Sequence, residues 1–491
     1  MNSLKILIIS TTTMFVIVGC SFFTPNYNKP HIEAPQSWRS NESAAQTLNE
    51  SNFSKVMWWH KFNDAALDNL INQALDNNSS IQIAIGNILA AQGVLKKIKL
   101  NWVPAIYLGG AGGVGQTFNS DTRSNNPIVS SSVPSSANFY YYDAGLVPAY
   151  SINIFKQFRE TDIAKANLSA AKYAKDAAQL SVISQVVGSY FTIIALKKEL
   201  DIQEQIISDI KELIRLNKLQ HTNGIISGSQ LESSTQQLER AELQIADINN
   251  NIVLAENALQ LLLNKNPNKL DLGKDFDNIS LNNLIFPNLP STVLLQRPDI
   301  LQAEENLKAA NADIGVAQAN FFPHIYLTTP VGTLNSNTGQ LLNPTGDFWV
   351  LQAEALMPIF NLGISGLIAQ KKGQYYIAYY NYVQTVRQSF IDADNSISTY
   401  SKSQVNFNLT SKLLISSEMD YLNNYRNYKA GYMSKLDTLP TKITLDNSKI
   451  QLIKTKLQQL QALITLYQTF GGGYNYRENN SPKKFNDEHD I

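Results

Sequence analysis

The stretch IQIAIGNILAAQGVLKKIKLNWVPAIYL, residues 81–108, returns later in the chain as ILQAEENLKAANADIGVAQANFFPHIYL, residues 300–327. The two stretches align without a gap and are identical at 10 of 28 positions. Two shorter correspondences follow, residues 153–155 with 358–360 and Gly224-x-x-Ser227 with Gly431-x-x-Ser434. A long internal period indicates a duplicated structural unit.

Each copy has the same predicted order of elements: a helix, two extended segments, and then two very long helices. The predicted first repeat is 57–264, with a strand pair at about 104–155 and a helical hairpin at about 159–264. The second is 291–473, with a strand pair at about 323–360 and a hairpin at about 363–470. Residues 265–290 would connect the repeats, and 474–491 form a polar tail.

The extended segments alternate apolar with small or polar residues and are bounded by loops rich in Ser, Asn, Gly and Pro. We count four strands in two hairpins, at 106–118, 137–155, 323–334 and 346–360. Alternating segments with aromatic residues are the weak sequence signature of a β-barrel in an outer membrane. The predicted fold class is therefore an α+β membrane protein with long antiparallel helical hairpins and four strands per chain.

The first helix of each hairpin is unusually long, at about 159–220 and about 363–428. Sixty residues correspond to about 90 Å of helix, a length that indicates a coiled coil or bundle. Apolar residues spaced by three and four predict left-handed seams, and the polar opposite face is expected to meet water. The seam positions are Leu238, Ala241, Ile245, Ile248, Ile252, Ala255, Leu259 and Leu262; Tyr379, Val383, Val386, Phe390, Ala393, Ile397 and Tyr400; and Ile450, Ile453, Leu457, Leu460, Ile464 and Tyr467.

Gly224 and Gly431 mark the predicted tips of the two hairpins, far along the chain from the strands. Glycine suits the positive φ that commonly follows a helix end.

Composition excludes several classes of function. Only 16% of the 491 residues are charged, and Lys+Arg and Asp+Glu number 40 each. A neutral chain has no net field to attract nucleic acid, so no nucleic-acid partner is expected. The single cysteine, Cys20, excludes a disulfide framework and a thiolate metal site.

The N-terminus reads as a lipoprotein signal peptide over residues 1–19, followed by a lipidated tether over 20–56. The apolar run 6–18 is too short to span a membrane as a helix. It closes with Ile17-Val18-Gly19-Cys20, which fits a bacterial lipobox in which Cys20 becomes the acylated first residue. The alternative is an uncleaved signal peptide in which Cys20 has no special role.

The sequence motifs that could indicate an enzyme are better explained by structure. Gly110–Gly115 matches G-x-G-x-x-G, but a polar loop follows it where a dinucleotide site needs a helix. The five histidines are scattered, and no nucleophile elbow or phosphate loop occurs. We therefore expect no enzyme activity, no cofactor and no metal site.

The quoted residues resemble the TolC-like outer-membrane efflux proteins, in particular the lipidated NodT-type outer membrane factors. The resemblance runs from Cys20 to Tyr474. Its marks are the lipobox, Trp59-x-x-Phe62-x-Asp64, Leu295-Gln296-Arg297-Pro298-Asp299-Ile300-x-x-Ala303-Glu304, residues 309–315, Phe321-Phe322-Pro323, Pro358-Ile359-Phe360 and Gly471-Gly472-Gly473.

The resemblance implies a homotrimer whose strands form one barrel of about twelve strands in the outer membrane, with a helical barrel in the periplasm. It implies an iris-like gate at the tips, in which Leu436 and Asp437 occupy the closed aperture, and two partners, a periplasmic adaptor and an inner-membrane pump. This sequence has Pro440 where the family often has a further Asp, and Gln230 where the first copy would match Asp437. The usual Tyr-Glu-Leu-Asp-Leu-Phe-Gly reads instead as residues 150–156, without either carboxylate.

Physical reasoning reaches part of this result independently. Four strands in lipid leave two open edges, and each unpaired backbone group there costs several kcal/mol. The chain must therefore associate, and about twelve strands leave a lumen whereas eight are filled by side chains. The sequence thus predicts a passive duct for efflux or export of drugs or other small molecules. The alternative is a structural or adaptor-type periplasmic lipoprotein without a pore.

Overall fold

The computed structural model describes residues 27–35, 38, 54–118, 136–270, 272, 275–279, 291–340 and 347–474. The predicted signal peptide, Cys20, and most of the tether, of the connecting segment and of the tail lie outside these residues. The chain divides into two compact units. One comprises 1–28, 90–168 and 306–379, and the other comprises 29–89, 169–305 and 380–491.

Seven helices account for most of the described residues. The predicted helix order is confirmed. The helices are α1 (Ala65–Asn77), α2 (Ser79–Leu100), α3 (Ile154–Thr222), α4 (Gly228–Leu262), α5 (Pro298–Gln318), α6 (Leu362–Lys429) and α7 (Lys435–Thr469). The ends of the two very long helices, α3 and α6, lie within five residues of the predicted ends.

Side-chain caps explain where the helices begin. The Asp64 carboxylate accepts hydrogen bonds from the backbone N–H groups of Ala66 and Leu67, as its position before α1 predicts. Helix α3 begins at Ile154, five residues before the predicted start, because the Asn153 side chain accepts the Lys156 N–H at 3.0 Å. The Asn153 amide also donates to the Ala319 carbonyl. Asn153 therefore caps the first turn of α3 and ties it to the end of α5.

Within the described ranges of the first unit the sheet has six antiparallel strands, which corrects the predicted number of four. The strands are β1 (Ala105–Phe118), β2 (Ser136–Ile152), β3 (His324–Thr328), β4 (Val331–Asn335), β5 (Asp347–Trp349) and β6 (Gln352–Leu356). β1 pairs with β2, β2 pairs with both β3 and β4, and these pair with β6 and β5.

The extra breaks have a local cause. The register of β2 against β3 continues unchanged into β4, and the register of β3 against β6 continues into β4 against β5. The interruption falls at Thr329-Pro330, and Pro330 has no N–H to donate to a ladder. Thr329 still donates to the Pro148 carbonyl, and Val350 to the Pro330 carbonyl. β3 and β4 thus lie on one line along β2, and β5 and β6 lie on one line beside them. Each line is interrupted, and the two interruptions lie opposite each other in the register.

An aromatic core fills the second unit. Trp58 is completely buried and stacks on Tyr467, with ring centroids 4.9 Å apart. Phe62 packs edge-on against Phe191 at 4.6 Å. Gly473 has a φ of +88°, and a Cβ there would lie 2.6 Å from the Trp59 ring. The adjacent residues Trp58 and Trp59 and the glycine run 471–473 therefore pack in one cluster.

The predicted seams are confirmed, but the outer helix faces differ from the prediction. Every seam position of α4, α6 and α7 is buried or half-buried. The opposite faces are not uniformly polar, because α6 also exposes Val405, Leu409, Leu413 and Met419. Among the residues that the structure describes, one stretch of α3 is apolar enough to cross a membrane, but most of it is buried, as in a core helix.

Candidate membrane sheet and hairpin tips

The two faces of the sheet differ in chemistry. Successive side chains of a strand point to opposite faces, and the register places Leu108 opposite Leu146 and Tyr150 opposite Leu327. This face also carries Ile106, Val114, Val331, Trp349 and Leu351. Its apolar side chains are exposed, Leu108 to 84% and Trp349 to 73%. An apolar face of this extent is typical of a surface that meets lipid or another protein.

The other face of the sheet carries more polar residues, although Val147, Leu334, Phe348 and Leu356 also lie on it. Ser151 stands opposite Tyr326, which in turn stands opposite Glu354. Tyr107, Asp143, Thr328 and Gln352 lie on the same face by alternation. This alternation, apolar on one side and polar on the other, is the pattern of a barrel strand between lipid and an aqueous interior.

Both outer edges of the sheet are unpaired among the described residues. β1 pairs only with β2, and the β5 and β6 segments pair only with β4 and β3. Each edge presents a row of backbone donors and acceptors, which is a template for pairing with another strand.

Glycines allow close approach of the central strands. Gly145 and Gly332 are partners in the register, and a Cβ on Gly145 would collide with the Val331 carbonyl oxygen. Gly110–Gly115 lie within β1 and do not open a helix. Small residues within a strand explain this motif without a dinucleotide site.

The two hairpin tips have the same backbone form. Gly224 has a φ of +72° and Gly431 a φ of +81°. The N–H groups of Ile225 and Tyr432 return to the carbonyls of Gln220 and Asn427, both at 2.9 Å. This is the arrangement of a glycine-ended helix, and it satisfies carbonyls that the helix end leaves free.

Leu436 and Asp437 lie in the first turn of α7, beyond Gly431. Leu436 is half-buried and Asp437 is exposed. The Ser434 hydroxyl donates to the Asp437 carboxylate at 2.6 Å, and the Asp437 N–H donates back at 3.2 Å. Asp437 therefore also serves a local capping role. Gln230 holds the same place in a capping box with Ser227. The Ser-x-x-Asp and Ser-x-x-Gln spacings could have predicted these caps from sequence.

Pro440 lies inside α7, in its second turn. It has no N–H, so the Leu436 carbonyl lacks its usual helical hydrogen bond. The turn that carries the two predicted gate residues is therefore held less firmly than the corresponding turn of α4.

Ion pairs link the first hairpin to the second near the tips. The Glu212 carboxylate on α3 lies 2.7 Å from Arg215 on the same helix and 2.7 Å from Lys435 on α7. These cations, Arg215 first and then Lys435, lower the pKa of Glu212 to about 2. One turn earlier in α3, Asp209 pairs with Lys442 of α7 at 2.8 Å. Sequence reasoning missed these contacts, because partners more than 200 residues apart leave no periodic signal.

The described residues contain no group of three or more His, Cys, Asp or Glu side chains placed to hold a metal ion. The predicted lipidation residue, Cys20, lies outside the described part of the chain.

Comparison with known proteins gives a consistent result. The chain matches the family model described as outer membrane efflux protein over residues 70–265 and 289–472. It is 27% identical to the probable efflux pump outer membrane protein TtgC of Pseudomonas putida, over 96% of both chains. It is 26% identical to the probable outer membrane lipoprotein SilC of Salmonella typhimurium, over 96% of this chain and 99% of the relative.

The fold is also that of solved channel structures. The open state of the Neisseria gonorrhoeae MtrE outer membrane channel superposes with a TM-score of 0.77 at 23% identity, covering 92% of this chain and 98% of that chain. The Campylobacter jejuni CmeC outer membrane channel gives a TM-score of 0.76 at 23% identity, covering 93% and 96%.

Proposed function

This chain belongs to the outer membrane efflux protein family, and from that premise we propose that it is the outer-membrane channel of a tripartite efflux system. It is a transport component that supplies a route, and the pump that it serves supplies the energy. Its solutes are drugs or other small molecules, in keeping with the names of its relatives, which are efflux pump and cation efflux proteins.

The sheet is the observation that carries this proposal. Its exposed apolar face would be costly in water and favourable in lipid. Its two open edges would be costly in lipid, where each unpaired backbone group loses several kcal/mol. A sheet with both properties is stable in a membrane only when other strands close it.

Closure by identical copies fits the edges. The outer edge of β1 on one copy would pair with the β5 and β6 edge of the next, which is a head-to-tail interface that forms a ring. Because β3 with β4, and β5 with β6, each continue in one register, each copy would cross the barrel wall four times. Three copies would then give about twelve crossings and an open lumen, whereas two would give about eight and a barrel filled by side chains. The polar face of the sheet would then line the water-filled interior. The exposed apolar stripe of α6 supports packing against a neighbouring copy in the helical part.

The hairpin tips would form the periplasmic gate. Leu436 and Asp437 would repeat around the axis, as an apolar and an acidic ring that narrow the path. The pairs Glu212 with Lys435 and Asp209 with Lys442 would hold the second hairpin against the first. An adaptor that docks on the tips would replace these contacts and open the duct.

Planar-bilayer recording of the purified full-length protein tests both claims. We expect discrete channels, and we expect Asp437→Ala to enlarge the resting conductance and to weaken block by divalent cations. Gln230→Ala, at the matching place in the first hairpin, is the control that leaves block by divalent cations unchanged. A protein that inserts but never conducts would refute the channel, and an unchanged Asp437→Ala would remove that residue from the gate.

The anchor and the domain limits are part of the same proposal. Cys20 would be acylated after removal of residues 1–19, and residues 20–56 would tether it to repeats at 57–264 and 291–473. Several acyl chains on one residue give stable membrane attachment. Because the barrel is itself an anchor, Cys20→Ser should remove the lipid, measured by mass spectrometry, while trimers still insert. A soluble, monomeric Cys20→Ser protein would contradict the claim that the barrel itself anchors the protein in the membrane.

The adaptor and the pump can be identified through the tips. Tyr432 is 87% exposed beside Gly431, so a photo-crosslinker at this position would reach a docked partner. We expect it to capture a periplasmic adaptor, and a crosslinker at the exposed Trp349 of the sheet should not.

A further inference from the structure

A cationic cavity of about 870 Å³ lies in the first unit, where the sheet meets the helices. Lys96 and Lys97 reach it from the end of α2, and Lys156 from the first turn of α3. Tyr107 and His324 line it from the strands. These residues are distant in sequence and come together only in the folded unit.

The positive charge of this cavity is only partly compensated. Lys156 is 3.7 Å from the Glu160 carboxylate, which also lines the cavity. Lys96 and Lys97 take part in no ion pair among the described residues. Three ammonium groups therefore face one carboxylate. This excess is local, since the chain as a whole has 40 basic and 40 acidic residues.

The cavity opens on the polar face of the sheet. Ala105, Tyr107, Ala149 and Ser151 line it, and the register of β1 and β2 places all four on that face. The apolar residues Leu100 and Val103 also contribute to the wall. A site with cations on one side and apolar or aromatic surface on the other suits an amphiphile that carries a negative group.

We propose that this cavity is a binding site for organic anions, namely compounds with a carboxylate, sulfonate or phosphate on an apolar or aromatic body. The inference rests on the proposed channel, which makes the polar face the lumen wall. Lys96, Lys97 and Lys156 attract the negative group, and Tyr107, Leu100 and Val103 contact the apolar body. A site of this kind makes organic anions a favoured class of solute for the duct.

Matched probes separate charge from hydrophobicity. 1-Naphthalenesulfonate and 1-naphthylmethylammonium share an aromatic body and differ in the sign of their charge. Calorimetry on the detergent-purified trimer should show the sulfonate binding at least tenfold more tightly than the ammonium compound. The sulfonate should bind K96Q/K97Q/K156Q at least tenfold more weakly than the wild type. In a KCl gradient, channels of that variant should show a reversal potential shifted toward cation selectivity. K96R/K97R/K156R should restore both.

The control is Lys99→Gln, on the same helix but outside the cavity, which should behave as the wild type. Equal binding of the two probes, or an equal loss in Lys99→Gln, would overturn the site. Displacement of the sulfonate by a short-chain anionic phospholipid but not by excess benzenesulfonate would also overturn it, in favour of a lipid headgroup site. Channels that conduct without lysine-dependent binding refute only this inference, whereas the absence of channels refutes the proposed function.

Discussion

The aromatic core of the second unit and the sheet of the first use large side chains in opposite ways. Trp58 is fully buried, stacks on Tyr467 and donates its indole N–H to the Gly472 carbonyl at 3.3 Å. Trp349 in β5 is 73% exposed. The core is complete within one chain, whereas the sheet lacks partners for its apolar face and for its edges. The difference predicts that the core folds by itself, whereas the sheet of the proposed channel needs lipid and other copies.

The largest expected effect would test the completeness of the core. Trp58→Ala would leave a cavity and an unpaired Gly472 carbonyl, and large-to-small changes of this kind cost about 3–5 kcal/mol. We expect a clear fall in the thermal midpoint in detergent, measured by circular dichroism. Trp349→Ala, which removes the same side chain from an exposed site, should change the midpoint little. Equal losses in both variants would remove the contrast between the regions.

A charge placed on each face of the sheet would sharpen the comparison. Leu108 and Tyr107 are neighbours in β1 that point to opposite faces. Leu108→Arg should impair membrane insertion by about 2 kcal/mol, a value between those for the interface and the midplane. Tyr107→Arg should insert normally and alter ion selectivity. The measurements are the folded yield in liposomes and the reversal potential, and normal insertion of Leu108→Arg would contradict a lipid-facing surface.

The smallest expected effect concerns the exposed link between the hairpins. Glu212→Gln should raise the frequency of channel opening in planar bilayers at pH 7, because it weakens the contact with Lys435 of the second hairpin. Glu242→Gln is the matched control, since Glu242 pairs with Lys211 within the first hairpin at 3.5 Å. An identical response of both variants would show that general surface charge controls opening.

The pH dependence of this link has a definite sign. The pKa of Glu212 is lowered to about 2 from 4.5. The stabilisation that the charged Glu212 carboxylate gives to the link is therefore present in full above pH 4.5, and it is lost as the pH falls through about 2. Acidification of the wild type from pH 7 to pH 5 should leave the Glu212 link intact. A change between these values that is absent from Glu212→Gln would contradict the assigned cause.

The sequence predicted what depends on local periodicity and missed what depends on distant contacts. The repeat of 81–108 at 300–327 predicted the element order, and the heptads predicted which positions are buried. Pro330 could have predicted the strand break, and Asn153 the earlier start of α3, because both act through their own backbone or neighbours. The packing of separate helices determines the pairing of Lys435 with Glu212. It also determines that Lys96 and Lys156 line the same cavity. No spacing within one helix encodes them.

Electron cryo-microscopy of the full-length protein in detergent tests the central claim most directly. We predict three copies around one axis, with the β1 edge of each sheet paired to the β5 and β6 edge of the next, and a continuous water-filled lumen lined by the polar face. A lone copy whose sheet edges stay unpaired, with no central opening, would contradict it.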